Sequence, residues 1–200
     1  ELSIHQSVRQ LRFVAASMHE AAMASVAGAT AEAEYITDRI EETDRLRRLI
    51  ERLYTRAMVL FDELDRLDAT RPRLFAGYRT AYELDCVARE AAEIAQAVDR
   101  LGPAASTDLV EEIRGVGADA REAVEAATDA VTDGGSATTV QDVLDGADAT
   151  AESTRTLQET VATADPPDAV LLTRVLDGVR RTVRHAESVG EIALGRRVRP

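Results

Sequence analysis

The residues able to do chemistry in this 200-residue chain are few and scattered. Its three histidines, His5, His19 and His185, stand far apart, and Cys86 is the single cysteine. There is no Cys/His cluster with metal-ligand spacing, and no Gly-rich phosphate loop follows a strand. The acids Glu41, Glu42, Asp44, Glu111 and Glu112 are of the right type for general acid/base work. Catalytic carboxyls need burial to shift their pKa, whereas these fall on the polar sides of amphipathic segments, so they read as solvated helix faces. His185, alone on an acidic helix, reads as a solvated residue. Phe75, Tyr78 and Tyr82, with Arg79 among them, follow a helical spacing of 3 and 4. They serve either as filler in or between bundles or as a patch that anchors a partner. With His185 they are the candidate partner-binding residues.

The element that must position these aromatics and Cys86 is residues 81–101. Its apolar positions Leu84, Val87, Ala91, Ile94, Val98 and Leu101 are separated by 3, 4, 3, 4 and 3. That is the seam of a helix packed lengthwise against other helices; a strand would show period two. The spacing returns in Val179, Thr182, Ala186, Val189 and Ala193, each displaced by 95 residues from its counterpart. A repeated helix implies a repeated unit.

The rest of the chain fits that repeat. A first helix carries Ile4, Val8, Leu11, Ala15, Met18, Ala22 and Ser25, and ends near Gly28, with Thr30 placed to cap the next. The second, running from Ile36 to Leu67, is expected to be one helix about 50 Å long at ~1.5 Å per residue. Pro72 opens the third. Gly102-Pro103 forms the clearest boundary, after which Ser106 or Thr107 caps a fourth helix on Leu109, Ile113, Val116, Ala120, Val124, Ala127 and Val131. Gly134-Gly135-Ser136 breaks it. The fifth helix uses Val140, Leu144, Ala147, Ala151, Thr154, Leu157 and Val161 and ends before Pro166-Pro167; the sixth runs from Asp168 to about Leu194. The expected fold is all-α, two tandem three-helix bundles related by an internal repeat, divided at residues 1–101 and 102–200.

Composition bounds the function. Net charge is −12, and every one of the 24 basic residues is arginine. An acidic, lysine-free chain rich in Ala and Asp resembles proteins of halophiles or high-GC genomes. The balance argues against nucleic-acid binding by this segment, since phosphate contact needs a basic face. The basic end at Arg196, Arg197 and Arg199 is too short to reverse it and instead complements a helix C-terminus or frays. All seven Phe and Tyr lie before residue 83, so the second half builds its core from small aliphatic side chains. It is expected to have slender, closely spaced helices and to be the less stable half. One cysteine forms no internal disulfide, fits a reducing compartment, and reads as a small buried residue. No apolar run approaches the roughly 20 residues that span a membrane, and no signal peptide is present, so the expectation is a cytoplasmic protein.

The tandem repeat, with its third-helix motifs, resembles the PhoU family of phosphate-uptake regulators over nearly the whole chain. That family's third helices carry a signature close to L-E-R-I-G-D-H-A-x-N-I-A. Residues 84–95 here read L-D-C-V-A-R-E-A-A-E-I-A, and residues 179–190 read V-R-R-T-V-R-H-A-E-S-V-G. The second helices are also similar, at Ile40-Glu41-Glu42-Thr43-Asp44 and Leu144-Asp145-Gly146-Ala147-Asp148. This is a divergent resemblance. The family's E-x-x-x-D acids bind metal ions, but their positions are Asp85 and Arg89 in one copy and Arg180 and Arg184 in the other. An arginine has no lone pair to donate. Asp85 and Arg89 are expected to form an exposed i, i+4 pair instead, and the chain is expected to hold no metal and no cofactor.

The resemblance implies a non-enzymatic negative regulator of phosphate homeostasis, working as a homodimeric, protein-binding helical adaptor. Its implied partners are the phosphate transporter's ATPase subunit or a sensor kinase. Some relatives carry an upstream DNA-binding domain of the AbrB type, and a first residue that is Glu1 rather than Met is compatible with such a module. The alternative reading is a helical dimerisation or scaffold domain without phosphate-linked signalling.

Overall fold

In the computed structural model, residues 3–27, 33–67, 69–101 and 107–198 are described. The expected caps at Thr30 and Ser106 and the Gly102-Pro103 boundary lie outside them. The described chain is helical: α1 (Ile4–Ala24), a short 3₁₀ turn (Ser25–Ala27), α2 (Ala33–Asp38), α3 (Ile40–Val59), α4 (Phe61–Arg66), α5 (Arg71–Val98), α6 (Thr107–Thr132), α7 (Ala137–Ala164) and α8 (Ala169–Val198). No strand occurs among the described residues.

The helix ends follow local chemistry. Thr70 is extended, at φ −86° and ψ 154°, and Pro72 sits in the first turn of α5, where an N–H would have no partner. Gly134 takes φ +77° between α6 and α7, and Ser136 then caps α7 by accepting the Thr139 N–H at 3.0 Å. Asp165, in the left-handed region at φ 42°, ends α7 ahead of the two prolines.

The second helix departs from expectation: it is three helices, interrupted at Arg39 and Leu60. A 3/4 apolar pattern on a straight helix drifts by roughly 20° per heptad, about 90° between Ile36 and Leu67. Leu60 becomes extended (φ −111°, ψ 111°), its N–H still bonded to the Arg56 carbonyl, and the helix restarts. Leu64 and Leu67 thereby return to the core.

Two three-helix bundles stand in tandem, α1/α3/α5 and α6/α7/α8. Their inner helices meet: α1 packs on α5 and α6, while α8 packs on α5 and α6; α3 lies outside on α1 and α5, and α7 outside on α6 and α8. One core runs through both bundles, from Leu11, Met18 and Ile50 to Leu84, Ile94, Ile113, Leu172 and Leu176. Both copies of the seam are buried, Leu84, Val87, Ala91, Ile94 and Val98 in α5 and Val179, Thr182, Ala186, Val189 and Ala193 in α8. The Thr182 hydroxyl is satisfied within its own helix by the Gly178 carbonyl at 3.1 Å. Glu83 meets His185, Glu90 meets Arg181 and Ile94 meets Gly178, so α5 and α8 run antiparallel. The close approach expected of small residues is present, since a Cβ on Gly178 would lie 2.5 Å from Ile94 Cγ1.

Among the described residues, no helix is long and apolar enough to cross a membrane.

Candidate functional site

Two places bring polar or exposed side chains together. The first is the α3–α5 face where the family's signature acids would sit. Arg89 reaches Asp44 on α3 at 2.8 Å and Asp85 on its own helix at 3.2 Å; Arg47 of α3 approaches Asp85 from the other side at 3.5 Å and pairs with Glu51 at 3.2 Å. The pair expected to be exposed is only half so. Arg89 is half exposed, but Asp85 is 5% accessible, because α3 covers it. Its Oδ1 is buried without a hydrogen-bond partner.

In the second copy, Arg180 bonds Asp177 at 3.1 Å, and Arg184 is exposed. Burial, then the carboxylates of Asp148 and Glu191, pushes Glu187 above the usual carboxylate range, while Arg184 opposes them. Asp148 and Arg184 thus both lie near Glu187, whereas Asp44 and Arg89 pair directly. The donor set does not fit the family's metal ions: guanidinium groups stand where ligands would be needed, and no three His, Cys, Asp or Glu converge among the described residues.

Here Arg89 ties α3 to α5. Replacing it with Met is expected to cost about 1–2 kcal/mol, below the ~3–5 of a fully buried pair because the guanidinium is half in water. A double-mutant cycle with Asp44→Ala, read by urea unfolding, is expected to give a coupling above ~0.5 kcal/mol; additive losses would remove the cross-helix role.

The second place is a groove where three helix ends meet. The C-terminal ends of α3 and α8 and the first turns of α5 enclose roughly 810 Å³, lined by Tyr54, Met58, Phe75, Ala76, Ile192 and Leu194, with Arg71, Arg79 and Glu191 among its polar lining. Tyr54 stacks on Tyr78 at 4.8 Å and 8°, and tilts against Phe75 at 6.3 Å, which stiffens one wall. Phe75 is 46% exposed, and the neighbouring Val59 and Leu60 are exposed too. Exposed apolar side chains clustered around a concavity have the character of a docking surface.

The structure divides the sequence candidates. Phe75 lines the groove, and Tyr78 supports it from behind. Tyr82, more than half exposed, lies further along α5, close enough to Cys86 that its hydroxyl partly offsets the rise of the thiol. His185 is away from the groove and is not simply solvated: its Nδ1 shares a 2.8 Å hydrogen bond with Glu83 Oε2 across the α5–α8 seam. Cys86 is half-buried, and burial, with Glu83 and Asp85 beside it, pushes its thiol up, away from reactivity. Tyr54, Met58, Ile192 and Leu194 were missed, since no spacing rule links the ends of three helices.

Compared with known proteins, no protein-family model matches the sequence, and no curated protein does. Solved structures do. PhoU from Pseudomonas aeruginosa superposes with a TM-score of 0.80 at 16% identity, over 98% of this chain and 95% of that one. The phosphate transport system regulatory protein PhoU from Streptococcus pneumoniae gives 0.83 at 15% identity, over 97% and 93%. This chain has the PhoU fold. The agreement extends over both bundles, so the PhoU fold includes the groove's three helices and the α3–α5 face. At such identity the side chains of that face are free to differ, and the PhoU fold is kept here with arginines holding the charged contacts.

Proposed function

We propose that this protein is a non-enzymatic negative regulator of phosphate uptake that works by binding other proteins. The observation that carries the reading is the match of nearly the whole chain to two PhoU structures, one described as a phosphate transport system regulatory protein. The groove supports it. A partner segment with an apolar face fits against Phe75, Met58 and Leu194, with a carboxylate meeting Arg79 at the rim. Phosphate status would act by changing the affinity of this surface for its partner. By resemblance the partners are the phosphate transporter's ATPase subunit or a phosphate-responsive sensor kinase, in the cytoplasm. Repeats at 1–101 and 102–200 would give the adaptor two faces of related shape.

The test is calorimetric titration of the purified chain with each of those two proteins from the same genome. Binding to one of them is expected, weakened at least tenfold by Phe75→Asp, while helicity stays unchanged because the ring is exposed. If neither protein binds, the regulatory reading fails.

A further inference from the structure

The groove between the ends of α3, α5 and α8 has basic walls in a chain of net charge −12. Residues 52–60 carry Arg52 and Arg56, residues 71–82 carry Arg71, Arg73 and Arg79, and neither stretch holds an acid. Residues 188–195 add a single one, Glu191. Arg56 and Arg71 have partners within the chain, but Arg52, Arg73 and Arg79 are exposed and pair with no described residue. Arg79 lines the groove itself. The apolar lining is uncovered: Met58, Phe75 and Leu194 are each more than a third exposed, and Val59 and Leu60 extend it past the end of α3.

Resting on the reading of this groove as the partner surface, we propose that its occupant is an acidic amphipathic α-helix of the partner protein. The walls are helices, and no strand occurs among the described residues, so an extended segment finds no open sheet edge for its backbone groups. A helix satisfies its own backbone and needs only side-chain contacts. The dimensions agree. At ~1.5 Å per residue the lining runs about 12 Å along α5, from Arg71 to Arg79, and about 10 Å along α8, from Ser188 to Gly195. Apolar side chains at i, i+3, i+4 and i+7 of a helix span about 10 Å, one length of the lining. These anchors rest on Phe75, Ile192 and Leu194, with the flexible Met58 adapting to their shape. A carboxylate beside them meets Arg79, whose charge nothing else in the groove answers. A lipid surface fits less well, because a flat layer does not enter a concavity of roughly 810 Å³.

Fluorescence anisotropy with synthetic peptides of about 14 residues tests this. One carries leucine at i, i+3, i+4 and i+7 with glutamates flanking them; a second has lysine for each glutamate, and a third has a proline at its centre, which breaks the helix. The glutamate peptide is expected to bind the full chain at least tenfold more tightly than either of the others. Phe75→Asp is expected to weaken it at least tenfold, and Arg79→Glu to reverse the order of the glutamate and lysine peptides. Both residues are exposed, and circular dichroism checks that helicity is kept. A lysine or proline peptide that binds the native chain as tightly, or an order that Arg79→Glu leaves unchanged, overturns the proposal. So does binding to anionic lipid vesicles, lost in Phe75→Asp, by a chain that takes no peptide. Failure of this inference and of the regulatory reading are distinguishable. Glutamate-peptide binding by a chain that binds neither the transporter's ATPase subunit nor the sensor kinase removes the regulatory reading alone. Binding of one of those proteins that the glutamate peptide does not displace removes the acidic helix alone.

Discussion

Replacing His19 with leucine is expected to stabilise the protein by about 2–3 kcal/mol at pH 7 and to make it resistant to mild acid. His19 lies on the inner side of α1 at 1% exposure, and neither ring nitrogen has a hydrogen-bond partner. Each orphaned polar atom costs roughly 1–3 kcal/mol, and leucine offers similar volume with nothing to desolvate. Burial, followed by the nearby Arg121 guanidinium, lowers the His19 pKa from 6.5 to about 4. The imidazole is neutral in the fold and gains a proton more readily in the unfolded chain. No penalty exists well above pH 6.5; below it the unfolded state binds the extra proton, and stability falls with pH until about pH 4, after which the loss is constant. At ~1.4 kcal/mol per pH unit, the native chain loses about 2 kcal/mol from this group between pH 7 and pH 5. Urea unfolding of both proteins at those two pH values measures it. A leucine variant no more stable than the native chain, with the same acid sensitivity, would mean the imidazole finds partners in solution.

The second large effect concerns the crossing of α5 and α8. A Cβ at Gly178 would lie 2.5 Å from Ile94 Cγ1 and 3.0 Å from its Cδ1, in a fully buried contact. Gly178→Val is therefore expected to cost about 1–3 kcal/mol by overpacking, despite valine's better helix propensity. Ile94→Ala, which empties the facing position, is expected to cost about 2–5 kcal/mol. The double variant should lose less than the sum by at least 1 kcal/mol, since the new side chain fills the cavity left by the old. Strict additivity in thermal or urea unfolding would show that the two helices do not meet there.

Residue 178 is also where the repeat most clearly stops being a copy. Displaced by 95 positions it corresponds to Glu83, which bonds His185 from the opposite helix. One bundle offers a carboxylate and the other an empty backbone, so the duplicated helices interlock by difference, not by symmetry. The same asymmetry governs the signature face. Asp85 is drawn under α3 and held by two arginines, whereas its counterpart Arg180 stays at the surface of α8 with Asp177.

Apart from the second helix, which is three helices in the structure, the sequence by itself determined the helices, their seams, and most of their ends, because these are local. Spacing of 3 and 4 follows from 3.6 residues per turn, and Gly134, Ser136, Pro72 and Pro166 act on the backbone beside them. It also showed that arginines occupy three of the four positions of the family's acids, Asp85 being the exception. Tertiary structure alone decided what those arginines touch. Arg89 finds Asp44 over 45 residues, and His185 finds Glu83 over 102, through the register in which antiparallel helices slide against each other. That register depends on the sizes of side chains from both helices at once, Ile94 against Gly178 for one, and no single stretch encodes it. The same holds for the groove, whose walls come from the ends of α3, α5 and α8, and for His19, an ordinary histidine in sequence that only packing turned into a buried one.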